Sequence, residues 1–133
     1  MDIRTHGGID RELCGTAQDL AEGFSRVRLH TSERMAVDES GLVHGGFIFG
    51  LADYAAMIAV NHPNVVLGAA EVRFLKPVKV NDVVVAEANV DSHEGKKSTV
   101  TVTVKGGEAE VFKGRFVCFS LDKRVLASSY GTS

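Results

Sequence analysis

The spacing of apolar side chains changes along this chain and marks out two kinds of element. Between residues 24 and 36, apolar and polar side chains alternate, as they do in a strand that buries one face. Residues 97 to 105 alternate more strictly, with valines on one face and threonines on the other. The pattern therefore predicts a half-buried strand in each of these two segments.

One long segment lacks this alternation and is apolar on almost every side. It extends from about residue 46 to residue 61 and carries a single charged side chain, Asp53. Pro63 ends it, because the proline ring cannot continue a helix and also disfavours helical backbone in His62 before it. A helix that is apolar nearly all round must be covered on most sides. We therefore predict a central, buried helix.

Further segments of strand-like composition follow the helix. They cover residues 65 to 75, 82 to 92 and 108 to 121, with turn residues at 93 to 96 and at Gly106-Gly107. Together with residues 97 to 105, they give the order strand, long helix, four strands. This order predicts an α+β fold in which a curved antiparallel sheet of about five strands surrounds one central helix.

Both ends of the chain have weaker patterns. Residues 9 to 22 indicate short turns of helix broken at Gly15, so residues 1 to 23 are expected to be an N-terminal segment of helical turns. Residues 127 to 133 are small and polar and are expected to form a disordered tail. The 133 residues are expected to form a single domain, because this length suits one hydrophobic core.

Composition excludes several classes of protein. Hydrophobic residues make up 44% of the chain, charged residues 24%, and the formal net charge is −2, which gives no general attraction to nucleic acid or to an anionic membrane. No segment reaches the roughly 18 apolar residues of a membrane span, and the N-terminus lacks the pattern of a signal peptide. The two cysteines, Cys14 and Cys118, show no metal-ligand spacing. We expect a cytoplasmic protein with no bound metal and no nucleic-acid partner.

The start of the predicted helix, His44-Gly45-Gly46, is suited to binding a carbonyl oxygen. A helix N-terminus presents unpaired backbone N–H groups and a partial positive charge. Because glycine has no side chain, a ligand carbonyl can approach the backbone of Gly45 and Gly46 closely. These are the requirements of an oxyanion hole for acyl transfer.

Asp53 supplies the second group that acyl transfer needs. A carboxylate buried among apolar side chains has a raised pKa and is a better general base. Asp53 and Gly46 are seven residues apart, so they share a helix face but are separated by about 10 Å along the axis. A reaction centre must lie about 3 Å from both groups. The spacing therefore favours a composite site in which two antiparallel helices of a homodimer each supply one group.

These residues resemble a known family. His44-Gly45-Gly46, followed nine positions after the histidine by Asp53 on a long helix, is similar to the hot-dog-fold acyl-CoA thioesterases. The similarity is to the phenylacetate-pathway type within the broader group of 4-hydroxybenzoyl-CoA thioesterases, and it covers roughly residues 24 to 121. Residues 72 to 78 also resemble the family's strand that ends in an aromatic-x-x-Pro segment.

The resemblance implies a hot-dog fold and hydrolysis of an acyl-CoA thioester, with coenzyme A as part of the substrate and no other cofactor. In that mechanism the Gly46 amide polarises the thioester carbonyl, and Asp53 of the neighbouring subunit activates water or attacks the acyl carbon directly. His44 orders the loop and contacts the thioester. The expected assembly is a homodimer or a homotetramer formed as a dimer of dimers, and the identity of the acyl group stays open.

One position departs from the family pattern. Related enzymes often carry an asparagine six residues before the histidine, and this chain has Asp38 there. A second carboxylate can repel an anionic thioester or change the water network. The alternative is therefore a hot-dog protein that binds or senses acyl-CoA without hydrolysing it. A dehydratase or hydratase site, in which His44 and Asp53 transfer protons beside a carbonyl, fits the glycine-rich helix start less well.

Each candidate residue also has a simpler structural interpretation. Asp53 fits a structural carboxylate paired with a backbone group or with a lysine of a partner chain. His44 fits a loop residue that only hydrogen-bonds backbone. Tyr54 suits either the core or the acyl pocket. Glu71 is either an ion-paired strand residue or the polar residue that the family places near the acyl group. One set of basic residues has two interpretations: a solvated face, or a site for the phosphates of coenzyme A. This set is Arg73, Lys76, Lys79, Lys96 and Lys97. The predicted substrate-binding set is Gly45, Asp38, Tyr54, Glu71, Arg73 and Lys76.

Overall fold

The computed structural model of the protein describes residues 1–123 and Leu126. Its helices are α1 (Arg11–Cys14) and α2 (Gly45–Val60), with a short 3-10 turn at Glu33–Met35. Its strands are β1 (Thr16–Ala21), β2 (Phe24–His30), β3 (Val65–Phe74), β4 (Val83–Glu94), β5 (Lys97–Gly106) and β6 (Ala109–Ser120). The predicted tail at residues 127 to 133 lies outside the described residues.

The strands form one antiparallel sheet of six strands in the order β1-β2-β4-β5-β6-β3. The sheet surrounds α2, which contacts every strand. This arrangement confirms the predicted α+β hot-dog fold, with six strands in place of about five. The core lies between the inner face of the sheet and the helix.

The additional strand is β1, and the prediction of helical turns broken at Gly15 is correct before that glycine and wrong after it. Only Arg11–Cys14 is helical, and the side chain of Asp10 caps it. Gly15 ends this helix with a φ of +102°, a conformation that favours glycine. β1 then pairs with β2, but a bulge between Ala17 and Asp19 shifts the register. The bulge breaks the two-residue alternation, which is why the sequence pattern did not indicate a strand.

The central helix is confirmed to within one residue at each end of its predicted range. It begins at Gly45, after His44 in the capping position, and it ends at Val60. Asn61 follows in the left-handed conformation and donates its backbone N–H to the carbonyl of Met57. The buried residues of the helix are Ile48, Leu51, Ala52, Tyr54, Ala55, Ala56, Met57, Ile58 and Ala59. Among the described residues, no helix is long and apolar enough to cross a membrane.

The alternation in β5 is confirmed, because its valines are fully buried and its threonines are half-exposed. The strand predicted for residues 24 to 36 is shorter, since β2 ends at His30. Thr31 turns the chain there. Its buried hydroxyl shares a hydrogen bond between the carbonyls of Lys79 (3.0 Å) and Asp82 (2.7 Å). This contact ties the end of β2 to the loop that precedes β4.

Candidate active site

One face of α2 is left open by the rest of the described chain. The incompletely buried residues Gly46, Phe49, Gly50 and Asp53 lie within about 100° of one another around the helix axis. Outside α2 itself, no described heavy atom lies within 4 Å of the point where a Gly50 side chain would begin. This surface, hereafter the open face, therefore has space for a ligand between Gly46 and Asp53.

Asp53 carries a carboxylate with an unmet hydrogen-bonding group. Its Oδ1 atom is buried and has no hydrogen-bond partner among the described residues. Such a group is costly in a folded protein and calls for an explanation. Burial raises the pKa of Asp53 from 3.8 to about 6. A carboxylate with this pKa can take up and release a proton near neutral pH, as a general base must.

Two thiols, Cys14 and Cys118, lie within the electric field of Asp53. Burial raises the pKa of Cys14, with further contributions from the charges of Asp10 and Asp53. Burial and the charge of Asp53 raise the pKa of Cys118 to about 12. Both thiols therefore stay protonated at neutral pH and are poor nucleophiles. Of these three side chains, Asp53 is therefore the one suited to act as a base at neutral pH.

The helix start brings His44 and Gly46 together. The backbone N–H of His44 donates to the carbonyl of Met35 at 2.8 Å, which fixes the capping residue. The exposed imidazole lies edge-on to the ring of Phe47, with 6.1 Å between the ring centroids. A methyl group added at Gly46 would lie 2.9 Å from Nε2 of His44, so the imidazole lies directly beside this glycine. The Gly46 N–H belongs to the first turn, where the helix itself offers no acceptor.

An apolar groove of about 300 Å³ adjoins the helix start. A methyl group added at Gly45 would lie 3.1 Å from the ring of Phe74, so glycine lets this ring reach the helix. Among the described residues of the lining, Lys76 is the only charged one. The lining of this Phe74 groove is Leu42, Val43, Gly45, Ile48, Phe74, Leu75, Lys76, Pro77, Val78 and Val111. The groove thus brings together Gly45 and Lys76 of the predicted substrate-binding set.

Glu71 and Arg73 lie on β3 and face basic residues of β6. In the sheet register, Glu71 is opposite Arg115 and Arg73 is opposite Lys113. A cleft of about 280 Å³, hereafter the β3–β6 cleft, contains these four side chains and has an excess of positive charge. Like charges directly opposite each other destabilise a sheet, so an anion between them would be stabilising. Lys113 and Arg115 were not predicted, because only their two-residue spacing was visible and the register was not.

The other predicted basic residues lie elsewhere. Lys96 lies in the turn between β4 and β5 and forms an ion pair of 2.9 Å with Asp122. Lys97 follows it at the start of β5. The backbone N–H of Lys79 donates to the carboxylate of Asp82 within a tight turn. The predicted basic residues therefore do not form one patch.

Asp38 and Tyr54 are not among the residues of the open face. Asp38 belongs to an exposed turn, where its Oδ1 accepts a hydrogen bond of 2.8 Å from the backbone N–H of Ser40. Hydrogen bonds from Ser40 lower the pKa of Asp38, so this carboxylate stays ionised. Tyr54 is buried, with its ring centroid 6.4 Å from that of His6. The structure favours the core interpretation for Tyr54.

β3 forms an open edge of the sheet. It pairs with β6 on one side, and no strand of the described chain pairs with its other side. Residues 68 to 71, in the middle of this strand, are exposed. An unpaired strand edge is a template for a further strand.

Comparison with solved structures gives close matches to the whole fold. PH1136, an uncharacterized protein of Pyrococcus horikoshii, has 54% sequence identity and a TM-score of 0.93, over 95% of this chain and 97% of its own. The PaaI protein from the phenylacetic acid degradation operon of E. coli shares the fold at 23% identity and a TM-score of 0.77, over 84% and 83% of the two chains. The protein smu.793 of Streptococcus mutans, solved with bound acetyl-CoA, shares it at 23% identity and a TM-score of 0.75, over 83% and 90%.

Sequence comparison identifies a family and two named relatives. The model of the thioesterase superfamily matches residues 40–113. A protein of Aquifex aeolicus named methylthioribose-1-phosphate isomerase is 57% identical over 116 residues, which are 87% of this chain and 25% of that protein. The transcription factor FapR of Caldanaerobacter subterraneus is 32% identical over 116 residues, which are 86% of this chain and 58% of that protein. The chain therefore spans less than two thirds of either relative.

Proposed function

The chain belongs to the thioesterase superfamily, whose model matches residues 40–113, and we propose that it hydrolyses an acyl-CoA thioester to a free acid and coenzyme A. The observation that carries this proposal is the open face of α2. It combines an unpartnered carboxylate of raised pKa, a glycine-rich helix start and free space between them. Thioester hydrolysis requires such a base, such oxyanion donors and room for the acyl group.

In the proposed reaction, Asp53 acts on a water molecule. Its carboxylate removes a proton while the water oxygen attacks the thioester carbonyl carbon, and the carbonyl oxygen takes the negative charge. The N–H of Gly46 donates a hydrogen bond to this oxyanion, helped by the partial positive charge of the helix start. The carbon–sulfur bond then breaks, and the departing thiolate of coenzyme A takes the proton from Asp53. If Asp53 instead attacks the carbonyl carbon directly, the carbon–sulfur bond breaks, the thiolate of coenzyme A leaves and a mixed anhydride forms. Water then hydrolyses the anhydride to the free acid and the Asp53 carboxylate, and the thiolate takes the released proton.

The two groups come from different protomers in this proposal. Gly46 and Asp53 are separated by about 10 Å along one helix, whereas a reacting carbonyl must lie about 3 Å from both. Two antiparallel copies of α2, related by a two-fold axis, bring the base of one protomer to the helix start of the other. The open edge of β3 supports this arrangement, because a second copy of β3 can pair with it.

Two surfaces are suited to the coenzyme A part of the substrate. The Phe74 groove begins beside the helix start and is apolar except for Lys76, which suits an uncharged arm that ends in phosphate. The β3–β6 cleft offers Arg73, Lys113 and Arg115 as charged donors. The acetyl-CoA bound by smu.793, a protein of the same fold, supports a ligand of this class.

A hydrolysis screen tests the proposal. Acyl-CoA esters of increasing chain length and a set of aromatic esters are incubated with the protein, and the free thiol is measured. We expect turnover of at least one ester and a loss of at least about 100-fold in Asp53→Asn, because a general base contributes about that much. Calorimetry should find coenzyme A still bound by this variant. Glu39→Gln, which changes an exposed carboxylate, is the matched control; full hydrolysis by Asp53→Asn would contradict the proposal.

A second candidate function is binding or sensing of acyl-CoA without hydrolysis. The relative FapR is a transcription factor, and Asp38 stays ionised at the position where related enzymes often carry asparagine. A screen in which an acyl-CoA binds the protein without release of thiol would favour this candidate over hydrolysis. If Asp38→Asn then restored thiol release, the second carboxylate would be the cause of the missing turnover.

A further inference from the structure

A separate cavity lies on the outer side of the sheet, at the junction of α1, β1 and β2. Its volume is about 600 Å³, within the usual range for sites of small molecules. Its described lining shares no residue with the open face, the Phe74 groove or the β3–β6 cleft. The lining residues are Arg11, Glu12, Thr16, Gln18, Arg28, His30, Thr31, Ser32 and Asn81. We refer to it as the β1–β2 cavity.

The walls of the β1–β2 cavity are held by close packing at Gly15 and by hydrogen bonds of Thr31. A methyl group added at Gly15 would lie 2.8 Å from Cγ1 of Val27 and 2.9 Å from the carbonyl oxygen of Arg28, so the α1–β1 junction lies tight against β2. On the other side, the Thr31 hydroxyl is bonded to the loop before β4. The cavity is therefore a fixed feature of the fold.

The β1–β2 cavity has an excess of positive charge. Within the described chain, Arg26 on the same strand pairs with Asp19 and Glu87, whereas neither Arg11 nor Arg28 has a carboxylate within 4 Å. The one acidic residue of the lining, Glu12, forms an ion pair of 3.4 Å with Arg34, which is outside the cavity. Two guanidinium groups thus face the cavity with no carboxylate of the described chain within ion-pair distance.

We propose that the β1–β2 cavity binds a phosphorylated small molecule. A guanidinium forms two parallel hydrogen bonds with a phosphate, and the charges of Arg11 and Arg28 together match a phosphate dianion better than a single carboxylate. The remaining donors and acceptors, from Gln18, Ser32 and Asn81, suit a ligand rich in hydroxyl or amide groups. The bulge in β1 lies at Gln18, between the two residues where the register shifts, and such bulges re-aim side chains.

Calorimetry with three probes tests this proposal. Inorganic phosphate, pyrophosphate and ADP are titrated into the protein at constant ionic strength, and at least one of them should bind once per chain. Arg11→Gln and Arg28→Gln should each weaken that binding at least about tenfold, because each removes a charge-assisted pair. Arg34→Gln should weaken it by a smaller factor, since Glu12 then loses the partner that neutralises it.

Arg4→Gln is the control, because Arg4 is exposed and lies outside the cavity. Equal weakening by Arg4→Gln, or the absence of binding with all three probes, would overturn the proposal. A titration with coenzyme A identifies the source of the phosphate. If Arg28→Gln weakens coenzyme A and ADP together, the cavity holds the nucleotide part of coenzyme A; if only ADP is weakened, it serves a separate phosphorylated ligand.

Discussion

The covered side and the open face of α2 belong to one helix but differ in burial, in residue type and in their effect on stability. On the covered side, Ala52, Ala55, Ala56 and Ala59 are at most 1% exposed and fit against the sheet. The open face instead carries glycine at positions 46 and 50 and the unpartnered carboxylate of Asp53. Burial on the covered side stabilises the fold, whereas the glycines and the carboxylate reduce its stability. A loss of stability confined to one face is typical of a functional site.

The two carboxylates that the sequence singled out differ in the same way. Asp38 lies in an exposed turn, and its hydrogen bonds with Ser40 lower its pKa. Asp53 lacks such partners, and burial raises its pKa to about 6. Only the second environment gives a carboxylate that changes protonation near neutral pH. The environment of Asp53 therefore makes it the candidate base of the proposed reaction.

The largest expected effect is a separation of activity from stability in Asp53→Asn. The open face predicts that kcat/KM falls at least about 100-fold, because the base is lost. It also predicts that the variant is at least as stable as the wild type at neutral pH, because an amide has no buried charge. Urea unfolding and the thiol assay measure both quantities. A variant that lost activity together with stability would show that Asp53 has a structural role.

The second effect is a dependence of stability on pH that comes from Asp53 alone. Its pKa is 3.8 as a free side chain and about 6 in the fold, so the folded protein binds this proton more tightly. The contribution of Asp53 to the free energy of unfolding is therefore greatest below about pH 4 and decreases as the pH rises to about 6. Above that pH, it is smaller by up to about 3 kcal/mol.

Unfolding of the wild type and of Asp53→Asn in urea, at a series of pH values, measures this effect. The advantage of the asparagine variant should grow between about pH 4 and about pH 6 and then level off. For the wild type, kcat/KM should rise over the same range as the base loses its proton. A stability difference that did not change with pH would show that the carboxylate is not buried as described.

A smaller effect is expected when one methyl group is added on the open face or removed from the covered side of the helix. Gly50→Ala should stabilise the protein by about 0.5–1 kcal/mol, because alanine is the better helix former and the added methyl group meets no described atom outside its own helix. It should nevertheless lower kcat/KM, since it fills space on the open face. Ala56→Gly is the matched change on the covered side and should only destabilise. Equal activity of Gly50→Ala and the wild type would show that the space above Gly50 is not used.

The smallest effect is expected at Asp38. Asparagine can accept the same hydrogen bond from the Ser40 backbone, so Asp38→Asn should change stability by less than about 0.5 kcal/mol. If the protein is an active hydrolase, kcat should also stay within a few-fold of the wild-type value. A large gain of turnover would instead support the second candidate function, in which the Asp38 carboxylate suppresses hydrolysis.

The parts of the fold that depend on local pattern could be predicted from the sequence. The apolar run and Pro63 were sufficient to locate α2, and strict alternation was sufficient to locate β5. β1 could not be predicted, because its bulge removes the alternation on which a strand is recognised. The end of β2 was also missed, since Thr31 turns the chain through bonds to residues far away in sequence.

The part of the candidate site that lies on one helix could also be predicted, whereas the parts that depend on contacts between elements could not. The seven-residue offset placed Gly46 and Asp53 on one helix face, and spacing alone was sufficient for that. The pairing of Arg73 with Lys113 depends on the register between β3 and β6, which the pattern does not contain. The open space beside Gly50 depends on what the sheet leaves uncovered, which is a property of the whole fold.

The central claim is that Asp53 of one protomer acts with Gly46 of another, and mixed dimers test it most directly. Asp53→Asn removes the base, and Gly46→Pro removes the backbone donor in the first turn of the helix, where the N–H has no partner within the helix. Each variant is assayed alone, with its circular dichroism spectrum as a check on folding. Gly46→Leu, which blocks the approach to the donor, is the second variant. Asp53→Asn and one of the two Gly46 variants are then unfolded together, refolded as a mixture and assayed for thiol release.

If the site is composite, each mixed dimer contains one site with an intact base and an intact donor, and one site that lacks both. About half of the dimers in an equal mixture are mixed, so activity should recover to about a quarter of the wild-type value. If each protomer instead carries a complete site of its own, every site in the mixture has one defect. The mixture would then stay as inactive as its two components, and the composite site would be contradicted.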